Sequence, residues 1–84
     1  DPEFYISWTE GAMEFDAMPF PLLIARLSRC YNVDIQIASK ELETMKFTGV
    51  IFRNKPLDFA LDIIHRVSDV KFEKKGETIL VKKQ

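Results

Sequence analysis

The chain has 84 residues, 46% apolar and 30% charged, with a formal net charge of −1. This length bounds it to one small domain, and this composition places it among folded globular chains rather than disordered ones. Twelve basic against 13 acidic side chains leave no electrostatic footprint for nucleic acid, and no apolar run approaches the length of a membrane span.

Residues 1–11 form an aromatic lead-in containing Phe4, Tyr5, Ile6 and Trp8 and ending at Gly11. It is expected to pack on the domain that follows or to join it to a preceding domain through Trp8. The chain opens at Asp1-Pro2 with no initiator methionine and no signal peptide, so it is expected to be a piece of a longer protein. Residues 12–84 read as one duplicated domain. Met13 to Asp16 alternate as a short strand. Pro19 suits the first turn of a helix, where a missing N–H is no loss. Phe20, Leu23, Ile24, Leu27 and Cys30 or Tyr31 then mark one helical face at spacings of three and four. Asn32 is a helix stop, and Val33 to Ile37 alternate as a second strand.

Residues 39–45 link the halves, with one helical turn capped by Ser39. Lys46 to Phe52 are rich in strand formers, with Gly49 a candidate bulge. Pro56 starts a second helix whose stripe is Leu57, Ala60, Leu61, Ile64 and Val67. Val70 and Phe72 open a strand, Lys75-Gly76 supplies turn chemistry, and Thr78 to Lys82 complete a C-terminal hairpin.

These elements are two copies of one pattern at a constant offset of 37 residues: Phe15 falls on Phe52, Pro19 on Pro56, Ile24 on Leu61, Leu27 on Ile64, Cys30 on Val67 and Val33 on Val70. A repeat of this size is one supersecondary unit that cannot bury its apolar face alone. The fold class is therefore α+β, with duplicated βαβ units in the order βαβ-βαββ. Leu22 and Phe59 occupy one repeat position off the main stripes, which places the two helices between two small sheets. The first strands of each half would share one sheet, and the second strands with the hairpin the other. Leu27, Ile64, Leu61 and Ile24 are the expected buried centre.

The chemistry is sparse. His65 is the only histidine, without a nucleophile and an orienting carboxylate beside it in sequence. Cys30 is the only cysteine; its match to Val67 makes it a buried structural thiol. One histidine and one cysteine make no structural zinc site, and Gly11, Gly49 and Gly76 are too scattered for a phosphate loop. No catalytic, cofactor-binding or metal-ligating set is expected, so the chain reads as a binding module rather than an enzyme. Phe47, Ile51 and Leu80 sit out of phase with the inward residues of their strands. The lead-in could cover them, or they could form a partner surface beside an open strand edge, with Phe59 and Ile63 next in line.

Several segments in order carry a resemblance. They are Trp8-x-x-Gly11-x-x-x-Phe15; Leu27 to Ile35; Lys46-Phe47-Thr48-Gly49; Asn54-Lys55-Pro56-Leu57-x-x-Ala60-Leu61-Asp62-Ile63-Ile64; and Gly76-x-Thr78-Ile79-Leu80-Val81. The chain resembles the C-terminal periplasmic domain of FecR-like anti-sigma regulators of the Bacteroidetes type. It departs at Cys30, where that family usually has tryptophan, and at Phe20, where leucine is usual; both changes stay apolar. The resemblance implies a periplasmic domain of a single-pass inner-membrane protein. It would receive a signal from the signalling domain of a TonB-dependent outer-membrane receptor and regulate an extracytoplasmic-function sigma factor only through other parts of the full-length protein. It implies no cofactor, no nucleic-acid partner and no membrane insertion by this fragment. The family domain is itself similar to the short N-terminal signalling domain of TonB-dependent receptors and secretins. That receptor or secretin domain and a structural spacer are therefore the alternatives.

Overall fold

The computed structural model describes residues 5–9 and 11–84. Helix α1 (Phe20–Tyr31) and helix α2 (Leu57–Val67) begin directly after Pro19 and Pro56, so their starts keep the offset of 37. The two prolines stand at the cap positions rather than inside the first turn, which in α1 holds Pro21. A proline side chain cannot accept the orphan N–H groups of a helix start. In α1 the backbone supplies the remedy, as the Phe20 N–H donates to the Met45 carbonyl at 2.8 Å. Asn32 ends α1 in the left-handed conformation (φ 54°), and the Asn32 and Val33 N–H groups both reach the Ser28 carbonyl.

Six strands accompany the helices among the described residues: β1 (Tyr5–Thr9), β2 (Ala12–Pro19), β3 (Asp34–Ile37), β4 (Lys46–Phe52), β5 (Val70–Lys75) and β6 (Thr78–Lys83). Five are those expected, and the sixth, β1, comes from the lead-in. The contacts expected of Phe4, Tyr5 and Trp8 lie outside the described residues. A 3-10 helix, Lys40–Thr44, fills the link between the halves and buries Leu42. The Ser39 hydroxyl does not cap it; Oγ instead accepts the Lys83 N–H at 3.0 Å, tying the link to the end of β6.

The strands form two sheets in the expected allocation. One is antiparallel in the order β1-β2-β4; the other has the order β3-β6-β5, with β6 parallel to β3 and antiparallel to β5. The helices lie between them: α1 meets β2, β4 and β3, and α2 meets β4 and β5. One continuous core results, in which Leu23, Leu27, Leu42, Ile64 and Val81 are fully enclosed and Ile24 and Leu61 nearly so. Among the described residues no polar or charged side chain is buried.

The sandwich stands, but not for the reason the sequence suggested. Leu22 and Phe59 are both exposed, so each helix buries a single stripe into a core that both sheets share. The offset of 37 also fails in the first strands. β2 runs straight into α1, whereas β4 stops at Phe52 and leaves Arg53 to Pro56 as a turn before α2. Phe15 is consequently buried, and its repeat partner Phe52 is exposed.

The phase of β4 follows from its register against β2. Met13 lies opposite Ile51, Phe15 opposite Gly49 and Met18 opposite Phe47, and residues directly opposite share a sheet face. Phe47, Gly49 and Ile51 therefore point inward, and Phe47 and Ile51 are core residues rather than an outward partner surface. Bringing Phe15 and Met18 to one face requires an extra residue, which β2 provides as a bulge at Asp16-Ala17. Ala17 adopts φ 56°, and its N–H donates to the Thr48 hydroxyl at 3.0 Å. The bulge thus sits on β2, opposite the strand that carries Gly49. Gly49 serves close packing: a Cβ there would come 2.8 Å from Phe47 Cζ.

A candidate protein-interaction surface

The expected partner-binding residues separate into two sets. Phe47 and Ile51 are enclosed in the core, and Leu80 is half-buried on the outer face of its sheet between cross-strand neighbours Gln36 and Glu73. Phe59 is exposed on α2 and Ile63 half-exposed one turn later. The structure extends this second set with residues that sequence reasoning assigned inward. Val67, read as part of the buried stripe, is 57% exposed, and Phe52, matched to Phe15, is 40% exposed. Phe59, Ile63 and Val67 are spaced by four on one face of α2, and the Phe52 ring packs edge-on to Phe59 with centroids 6.2 Å apart.

Tyr31, the last residue of α1, anchors the turn that carries Phe52. Its hydroxyl donates toward the carbonyls of Phe52 at 3.3 Å and Lys55 at 3.2 Å. Partial burial holds the phenol above the usual tyrosine range; the Cys30 thiol adds to the rise, and the Arg53 charge opposes it. Lys55 Nζ stands 5.8 Å from the centre of the Phe59 ring, within cation–π range. The carboxylates of α2 are already engaged, Asp58 by Lys74 at 2.9 Å and Asp62 by Arg66 at 2.8 Å. The result is an apolar face with cations near its aromatic end.

Cys30 is exposed, contrary to the expectation of a buried thiol. Tyr31 takes the inward place at the end of the stripe and packs against the core, which turns Cys30 outward. Its repeat partner Val67 is outward too, so the repeat kept the face and the face itself was misread. His65, near the end of α2, has Nδ1 2.6 Å from the carbonyl oxygen of Val70 at the start of β5. On the outer face of the second sheet, Glu73 meets Lys82 at 3.0 Å, and that hydrogen bond and charge hold its carboxyl below the ordinary range. An open groove of about 730 Å³ borders Val33, Leu57, Lys74, Glu77 and Ile79. Among the described residues no group of three or more His, Cys, Asp or Glu is placed to hold a metal, and no helix is long and apolar enough to cross a membrane.

The family model for the C-terminal region of FecR matches residues 12–81, nearly the whole duplicated unit. The chain belongs to the FecR C-terminal family. Membership favours the regulator over a receptor's own signalling domain, and the family is one of regulators rather than enzymes. No curated protein sequence matches the chain. Two crystal structures of a proposed anti-sigma factor from Parabacteroides distasonis share the fold of this FecR C-terminal domain. Each is 24% identical to it; the TM-scores are 0.77 and 0.79, over 88% and 92% of this chain. The matched region is 34% and 36% of those chains, so this domain spans about a third of their length.

Proposed function

We propose that this FecR C-terminal domain is the periplasmic signal-relay module of a membrane-anchored anti-sigma regulator. It binds the signalling domain of a TonB-dependent outer-membrane receptor, and the sigma factor is controlled by other parts of the same protein. The family match over residues 12–81 carries this reading. The architecture supports it: the order of each sheet leaves edge strands, β1 and β4 in one and β3 and β5 in the other, and such edges accept partner strands through backbone hydrogen bonds. Phe59 and Ile63 are the first candidate side-chain contacts and half-buried Leu80 the next, whereas Phe47 and Ile51 are buried in the core.

The test is calorimetric titration of the domain with the isolated N-terminal domain of the receptor encoded beside its gene. Saturable one-to-one binding is expected. Absence of binding while the intact proteins still signal would make this domain a structural spacer and place the relay elsewhere in the regulator.

A further inference from the structure

The duplication supplies an internal control for the exposed face of α2. Positions 59, 63 and 67 correspond to 22, 26 and 30 at the offset of 37. On α2 they are Phe, Ile and Val; on α1 they are Leu, Arg and Cys. The fold therefore accepts a charged side chain at the second of these positions and a small thiol at the third, so burial in the common core cannot be what keeps Ile63 and Val67 apolar. Phe59 and Val67 remain 42% and 57% exposed in the finished domain. Phe52 repeats the contrast, because its counterpart Phe15 lies in the core while Phe52 packs on Phe59 from outside. Exposed apolar surface that the architecture does not require is the mark of a contact surface.

Charge selects the occupant. Lys55 stands over Phe59, and the α2 carboxylates Asp58 and Asp62 are each paired with a cation. Positive charge thus flanks the aromatic end of the stripe without a neighbouring free carboxylate on α2 to oppose it. We propose that the face formed by Phe52, Phe59, Ile63 and Val67 docks a protein segment that presents apolar side chains flanked by carboxylates. This deepens the relay reading and rests on it for the identity of the natural partner. The apolar residues supply the anchor, and Lys55 sets orientation and encounter rate.

Two synthetic twelve-residue peptides test it, one with leucines at helical spacing between glutamates and one with lysines in place of the glutamates. Each is titrated into ¹⁵N-labelled domain at low salt. The acidic peptide should bind about tenfold more tightly than its basic counterpart, with shifts centred on Phe52, Phe59, Ile63 and Val67. Lys55→Glu should remove most of that preference, and Phe59→Ser should weaken the acidic peptide about tenfold. Leu22→Ser, at the equivalent position of α1, should change neither. Equal binding of the two peptides, no binding of either, or shifts centred away from α2 would overturn the proposal. A parallel titration of the same variants with the receptor domain separates the two readings. A receptor domain that binds wild type and both α2-face variants alike leaves the relay intact and sinks this surface, whereas one that fails to bind wild type sinks the relay and leaves the peptide result to decide the surface.

Discussion

At Gly49 the inward face of β4 has no room for a side chain. The Phe47 ring lies across the glycine, and a Cβ would meet Cζ at 2.8 Å and Cε2 at 3.2 Å. Phe47 is buried and held edge-on by Phe15, with ring centroids 6.1 Å apart, so it has little freedom to yield. Gly49→Ala should therefore cost about 1–3 kcal/mol by overpacking, read as a lower urea midpoint at unchanged slope. Tyr31 makes a weaker, pH-dependent contribution. Its folded pKa is raised, so its stabilisation is complete below the unfolded value, about 10, and is lost as pH rises beyond it. Tyr31→Phe should cost about 0.5–1 kcal/mol near neutrality by loss of the donated hydrogen bonds. The gap between variant and wild type should narrow at pH 11 in parallel denaturation series. Cys30 is solvent-facing, so native protein should react with a thiol reagent about as fast as unfolded protein does; strong protection would show that the helix end closes over it.

The helices are the most legible elements, because a 3.6-residue stripe fixes their extent and the centre of their buried face; only its last positions, Cys30 and Val67, turn outward. Leu27, Ile64, Leu61 and Ile24 are all buried as that stripe requires. Leu61→Ala should cost about 2–5 kcal/mol, close to abolishing a domain of this size; a loss under about 1 kcal/mol in chemical denaturation would mean that the core collapses to fill the space. Strand β4 was harder for a definite reason. Phe47 and Phe52 are five apart, so a period of two must put them on opposite faces, and nothing local says which is inward. The repeat argued for Phe52, but pairing with Met13, Phe15 and Met18 decided for Phe47. The bulge at Ala17 was illegible because alanine carries no signal for a left-handed conformation. The same ambiguity hid half of the candidate surface. The spacing of Phe59, Ile63 and Val67 is present in the sequence, but Val67 fits the core stripe equally well and Phe52 fits the repeat.

At the scale of the molecule the duplication does not produce two folding units. Each sheet draws on both halves: β2 pairs with β4 across the repeat, and β3 pairs only with β6, which also holds β5. The first half alone would leave β2 without β4 and β3 without any partner, and would open the core that α2, β4, β5 and β6 complete. Such a fragment lacks the packed apolar surface that offsets the entropy of ordering it. Residues 1–45 should accordingly be unfolded in isolation, whereas the complete chain should unfold in one transition with coincident midpoints by far-UV circular dichroism and by resolved amide signals. Mixing fragments 1–45 and 46–84 at sufficient concentration should restore structure to both, because each supplies the strands the other lacks. A cooperative transition in either fragment alone would show that the repeat still folds as an autonomous unit and that the shared sheets are a later embellishment of it.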